Sequence, residues 1–174
     1  MQRVIKFLDD HFEEVFIFLT LATMSVIIAL QVLMRYVFQA SLSWSEEIAR
    51  YLFIWLIYIG ISYGVKKEAH VAVTATDLFL SKTQRKWMRL ISNIVFLLFA
   101  MCIFYYGREV CAKIAHLGQE APATGIHMWV VYLAVPVGFF LTCIRLIQRI
   151  YRQVVDWKSN KDDTPQPSND PILL

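Results

Sequence analysis

Four long stretches with apolar, uncharged centres limit what the chain can fold into. The first, 15–34, has no ionisable side chain in twenty residues, enough for a helix to cross the roughly 30 Å hydrocarbon layer of a bilayer. Three more follow at about 44–65, 83–110 and 127–147. Only 18% of residues are charged and 57% are hydrophobic, whereas about 25% of the residues of a soluble domain are charged. The pattern predicts an all-α membrane protein with four transmembrane helices.

Lysine and arginine are distributed unevenly among the segments between these spans. All of them except Arg35, Arg50, Arg108 and Lys113 lie before the first span, from the end of the second span to the start of the third (66–89), or from the end of the fourth onward (145–161). Because cytoplasmic segments of membrane proteins are enriched in both residues, we expect both termini in the cytoplasm. The protein should then be a multi-pass protein of the bacterial inner membrane. We expect no nucleic-acid partner.

Two segments outside the spans complete the predicted organisation. Residues 69–80 are too few to cross the membrane and are expected to lie along the interface. The four-helix domain should occupy 1–155, and 156–174, polar and punctuated by proline, is expected to be a disordered cytoplasmic tail. Basic side chains gather where the third helix begins, and we expect them to anchor it to anionic lipid, at about 1 kcal/mol each. These are Lys82, Arg85, Lys86 and Arg89.

The start of the second span carries two acids and an arginine within eight residues. Ser43 and Glu46 have the spacing of a capping box, which predicts a helix from about Trp44. In such a helix Glu46 or Glu47 lies within one turn of Arg50 and can neutralise it. One interpretation is that these groups are interfacial charges that pair locally. The other is that they form a polar handle that docks another membrane subunit, since ionisable groups at this depth are most often functional.

The residues needed for redox, haem or proton-exchange chemistry are missing from the spans. All four histidines lie in terminal or loop segments, which disfavours a haem held between helices. The cysteines form no C-x-x-C pair, and no Asp or Glu lies in the middle of a span. We therefore expect no enzyme activity, no cofactor and no metal. A chain equipped in this way is more typical of an auxiliary subunit than of a complete transporter.

Five residues inside the spans are expected at helix contacts. Polar side chains in a membrane mostly bond across helices, small residues allow close approach, and a proline kinks the helix that contains it. The five are Gln31, Gly60, Gly64, Asn93 and Pro136.

One run resembles a known family. Residues 44–50 read W-S-E-E-I-A-R, which is similar to the W-x-E-E-x-A-R signature of the small membrane subunit of tripartite ATP-independent periplasmic (TRAP) transporters. Three further features match in the same order. They are the basic exit from the second span leading to His70, the basic entry to the third, and the run from Trp129 to Gly138 in the fourth.

The resemblance implies a function that the residues alone do not show. In that family a large multi-span subunit carries the sodium and substrate sites, and a periplasmic substrate-binding protein delivers organic acids such as C4-dicarboxylates or sialic acid. The small subunit is scaffold and docking surface. Carried over by position, the docking residues are Trp44, Glu46, Glu47, Arg50 and His70. The alternative is a stand-alone four-helix membrane enzyme or channel, which would work without a large partner.

Overall fold

The computed structural model describes residues 2–67 and 82–158, with the side chains of 13–67, 84 and 86–155. The helices are α1 (Gln2–Tyr36), α2 (Ser43–Lys66), α3 (Lys82–Leu117), α4 (Met128–Tyr132) and α5 (Ala134–Lys158). Four segments are long and apolar enough to cross a membrane: Glu13–Tyr36, Ser43–Lys66, Lys86–Leu117 and Met128–Val155. The predicted all-α class with four spanning helices is confirmed. The expected interfacial segment and residues 159–174 of the tail lie outside the described residues.

The spanning helices pack as a row. α1 packs on α2, α2 on α5, and α5 on α3, while the short α4 contacts mainly α3. No extensive contact joins α1 to α3 over the described residues, so the two helices form opposite edges of the row. The fourth span is the most buried of the four and the first is the least. In lipid, leaving the apolar surface of an edge helix exposed costs little free energy, because acyl chains are as apolar as the side chains that face them.

Two glycines on the central contacts allow the helices of the row to approach closely. A Cβ placed on Gly138 of α5 would lie 2.7 Å from both the Cβ and the carbonyl oxygen of Tyr58 on α2. A Cβ on Gly107 of α3 would lie 3.1 Å from the Cγ1 of Val135. Beside these crossings the core is formed by Val65, Ala100, Phe139 and Leu146. The second and third spans are therefore held to the fourth by backbone approach as well as by side-chain packing.

The fourth span is interrupted at Leu133, between α4 and α5. Pro136 has no N–H to donate to the carbonyl of Tyr132, so the helical ladder loses one bond there. The chain continues through bonds from the Leu133 N–H to the Trp129 carbonyl (2.9 Å) and from the Val137 N–H to the Leu133 carbonyl (3.1 Å). Pro136 itself lies on the α3 side, its Cδ 3.6 Å from the Cβ position of Gly107.

The prediction of a capping box at the start of α2 is wrong. Ser43 is already the first helical residue, and the cap is Leu42, which has no side-chain hydrogen bond to offer. Because Ser43 has helical geometry, its hydroxyl cannot occupy the capping position. The nearby Ser45 hydroxyl instead donates back to the Leu42 carbonyl at 2.7 Å.

Candidate docking surface

The first turns of α2 point their charged side chains in two directions. Trp44, Glu46 and Arg50 are exposed, whereas Glu47 is buried, with 8% of its surface accessible. Adjacent helical residues point about 100° apart, which separates the two acids. The two neighbouring glutamates therefore have different surroundings.

The carboxylate of Glu47 holds the loop that joins α3 to α4, residues 118–127, which we call the outer loop after the topology expected from the basic residues. Its Oε2 accepts the backbone N–H of Ala123 at 3.1 Å and of Thr124 at 2.8 Å. Its Oε1 accepts the Tyr51 hydroxyl at 2.9 Å. Hydrogen bonds to an ionised acceptor are roughly twice as strong as neutral ones. Glu47 thus fixes a loop more than seventy positions away to the start of the second span.

The loop has bonds of its own that give it a defined shape. Ala121 donates to the Ile126 carbonyl and Gly125 to the Ala121 carbonyl, both at 2.9 Å. Gly125 has φ +69°, a left-handed conformation that glycine adopts without strain. At the neck, Glu120 and His127 face each other across an antiparallel bridge, with 3.4 Å between the acid Oε1 and the imidazole Nδ1. The outer loop therefore has a defined conformation, and its hydrogen bonds to Glu47 help to stabilise that conformation.

The predicted neutralisation of Arg50 does not occur. Among the described residues no carboxylate lies within ion-pair distance of Arg50, although Glu46 and Glu47 are within one turn of it along the helix. Glu47 is unable to reach it because its carboxylate is bonded to the loop. Arg50 and Glu46 remain exposed on the surface of α2.

The exposed charges belong to a longer stripe, which we call the open face of α2. Its members recur at alternating spacings of four and three residues, so that they fall within about 80° of arc on the helix. Phe53 and Ile57 are exposed, and a Cβ on Gly60 or Gly64 would meet no described atom outside the backbone of α2 within 4 Å. The open face comprises Glu46, Arg50, Phe53, Ile57, Gly60 and Gly64. The Cβ positions of the two glycines expected at helix contacts therefore meet no other helix among the described residues.

A buried ionic cluster, which the sequence did not lead us to expect, joins three helices at the opposite end of α2. Glu13 on α1 is 1% exposed. Its Oε1 accepts the Arg145 Nε of α5 at 2.9 Å and the Ser62 hydroxyl of α2 at 2.8 Å. The Lys66 ammonium lies 3.7 Å from its Oε2. A charge can stay buried only when paired and hydrogen-bonded, which this arrangement provides.

A second acid repeats the contact between α1 and α2 nearer the surface. Glu14 lies 3.1 Å from the Lys67 ammonium and accepts the Tyr63 hydroxyl at 3.1 Å. The hydrogen bond to Glu14 raises the pKa of Lys67 above its usual value. Lys67 is half exposed, so breaking this pair should cost less folding stability than breaking the buried one.

The remaining predicted residues differ in their surroundings. Asn93 is buried on α3, and its amide donates to the Gln153 side chain of α5 at 3.1 Å. Gln153 in turn donates to the Lys86 carbonyl at 3.0 Å. Gln31 and Arg89 are partly exposed. His70 lies outside the described residues, as do the side chains of Lys82 and Arg85.

Glu47→Ala is expected to loosen the outer loop, because it removes the acceptor of two backbone N–H groups. A bond to a charged group contributes about 1.5–3 kcal/mol, so the amides of Ala123 and Thr124 should exchange hydrogen about tenfold faster or more. Hydrogen exchange with mass spectrometry on the purified chain measures this. Glu46→Ala is the matched control and should leave both amides protected. Equal protection in the two variants would contradict the role given to Glu47.

Comparison with known proteins agrees with this architecture. Residues 24–156 match the family model of tripartite ATP-independent periplasmic transporters, DctQ component. A putative TRAP transporter small permease protein of Haemophilus influenzae KW20 is 29% identical over 164 residues, covering 92% of this chain and 93% of that protein.

Two further relatives carry transport names. The C4-dicarboxylate TRAP transporter small permease protein DctQ of Rhodobacter capsulatus is 31% identical over 108 residues, 62% of this chain and 48% of that protein. The sialic acid TRAP transporter permease protein SiaT of Haemophilus influenzae 86-028NP is 32% identical over 149 residues, 84% of this chain. The match spans only 23% of that longer permease. The family match covers most of the chain, and the chain therefore belongs to the DctQ component family of tripartite ATP-independent periplasmic transporters.

Proposed function

We propose that the chain is the small permease subunit of a sodium-coupled TRAP transporter that takes up organic acid anions across the bacterial inner membrane. The substrate class follows from relatives named for C4-dicarboxylates and sialic acid. In this proposal the large subunit translocates the substrate, and the chain scaffolds and docks it. The observation that carries the docking role is the open face of α2.

The charged residues of the chain support a scaffold better than a substrate path. Among the residues whose side chains are described, the buried acids are Glu13 and Glu47, and both are bonded to other parts of the same chain. Each therefore holds helices or a loop in place instead of meeting a solute. A row of helices anchored by such contacts supplies a stationary wall, and a domain that moves within a membrane needs one.

The open face has the features that a helix of the large subunit would match. Spacings of four and three residues are those of helices that pack at about 20° to each other. Gly60 and Gly64 would let the partner backbone approach closely, and Phe53 and Ile57 would pack beside it. A charged group inside the membrane costs about 2.5–3.5 kcal/mol or more when unpaired. Arg50 and Glu46 therefore favour a partner helix with complementary polar groups at the same level.

The outer loop is the second surface in this proposal. With both termini in the cytoplasm, residues 118–127 face the periplasm, where the substrate-binding protein delivers its cargo. A loop already ordered by Glu47 loses less conformational entropy on contact than a flexible one. Trp44, from the family signature, and His70, from the match after the second span, complete the docking residues proposed from the resemblance.

Gly60→Leu combined with Gly64→Leu is expected to weaken the complex with the large subunit while the chain still folds. Apart from the backbone of α2 itself, no described part of the chain lies within 4 Å of either Cβ position, so the new side chains have room until the partner helix arrives. Copurification in mild detergent measures recovery of the large subunit, and thermal unfolding of the chain alone reports on the fold.

The matched control for this variant is Ala22→Leu with Ala29→Leu, which adds the same side chains to an exposed surface of α1. The control should retain the large subunit. Docking through α2 would be disproved by full recovery of the large subunit with the glycine variant, or by equal losses in both variants.

A further inference from the structure

An apolar groove runs between α3 and the break in the fourth span. It is open along one side and has a volume of about 520 Å³. Phe104 and Phe140 close its inner end, with ring centroids 5.8 Å apart. Ala112 and Ala115 form the α3 wall at the outer end, opposite Leu133. Small side chains on one wall and the interruption of the helix on the other leave this space open.

Arg108 is the charged residue among those that line the groove. The uncharged part of α3, residues 90–107, covers about 27 Å at 1.5 Å per residue, close to the thickness of the hydrocarbon layer. Arg108 follows it directly and so lies at the boundary between acyl chains and headgroups. Tyr105, of the type that favours this boundary, lies beneath the guanidinium at 5.9 Å.

The guanidinium of Arg108 has no acid partner among the described residues. A contact with an aromatic face positions the group but leaves its N–H donors free for an anion. Arginine binds phosphate through two parallel hydrogen bonds, and such bonds strengthen where water is scarce. A phosphate group at the level of the headgroups is therefore the anion that fits this position.

We propose that the groove binds one phospholipid of the outer leaflet. Its phosphate would lie on Arg108, an acyl chain would descend past Val137 towards Phe104 and Phe140, and the headgroup would rest beside Ala112 and Ala115. The site combines a cation at headgroup level with apolar walls below it, which matches the two chemical parts of a lipid. Free phosphate in solution would meet the cation alone.

Two variants test the two parts of the site separately. Arg108→Gln removes the phosphate contact, and Ala112→Phe fills the groove while keeping the charge. Lys113→Gln is the matched control, since Lys113 is an exposed cation on the same helix that does not line the groove. Each variant is reconstituted with phosphatidylethanolamine and phosphatidylglycerol and extracted gently. Native mass spectrometry then counts retained lipid, on the chain alone and with its large subunit.

Arg108→Gln and Ala112→Phe should each retain phospholipid about tenfold less than the unaltered chain, and Lys113→Gln should retain it fully. Retention unchanged by Arg108→Gln would overturn the proposal. So would displacement of the lipid by inorganic phosphate, or its loss whenever the large subunit is bound, which would assign the groove to that subunit. Lipid retention is also measured on the chain alone, so the proposed lipid site can still be tested if docking to the large subunit fails.

Discussion

Gly138→Ala is expected to destabilise the protein strongly, although it adds a single methyl group. That methyl would lie 2.7 Å from the backbone oxygen and the Cβ of Tyr58, far inside van der Waals contact. The neighbour is backbone of α2, which cannot turn aside as a flexible side chain would. The second and fourth spans must therefore separate, at the upper end of the roughly 1–3 kcal/mol typical of overpacked cores or beyond it.

Thermal unfolding in detergent measures this effect, and Gly60→Ala is the control. Both glycines lie within spanning helices, and both substitutions add one carbon, but no part of the other described helices lies within 4 Å of the Cβ position of Gly60. Gly60→Ala should be neutral or slightly stabilising, because alanine favours a helix more than glycine does. Similar melting temperatures for the two variants would show that α2 and α5 do not cross at Gly138.

Glu13→Ala is expected to have a comparable effect through electrostatics. It would leave Arg145, 9% exposed, without the carboxylate that lies 2.9 Å from its Nε, and the Ser62 hydroxyl without its acceptor. Removing one partner of a buried pair costs about 3–5 kcal/mol, because the other charge stays buried. Since α1 packs on the row through α2, its loss of protection should appear first at that edge.

The comparison variants separate a buried pair from an exposed one. Glu14→Ala, next to Glu13, breaks a pair whose lysine is half exposed, and should cost about 0–1 kcal/mol. Glu13→Leu combined with Arg145→Met removes both charges and should recover much of the stability lost in Glu13→Ala. Thermal unfolding and hydrogen exchange along α1 report both results. Equal effects of Glu13→Ala and Glu14→Ala would contradict the buried cluster.

The spans and their class could be predicted from the sequence because lipid imposes a length and a composition on every helix that crosses it. Helical spacing also predicted that the signature residues of α2 lie close together. It could not predict that Glu47 faces inward, because two neighbouring acids fit the pattern equally well. That choice depends on a loop reached only after a further span.

The pairing of Glu13 with Arg145 was not predicted, since the two residues are 132 positions apart. A usable signal was present in the order of the spans, since Glu13 begins the first span and Arg145 lies towards the end of the fourth, which runs in the opposite direction. The glycines show a different limit. Gly60 and Gly138 are both glycines within spans, and only the order of helices in the row determines that Gly138 meets a backbone and Gly60 does not.

The proposed scaffold role is tested most directly by sodium-driven uptake into vesicles that contain the chain, the proposed large subunit and the proposed periplasmic binding protein. C4-dicarboxylates and sialic acid are the first substrates to measure, with vesicles lacking one component as controls. A subunit that scaffolds and docks the translocating partner should be required for uptake, and vesicles with the chain alone should transport nothing. Undiminished uptake in vesicles that lack the chain would contradict the account, as would transport by the chain without its partners.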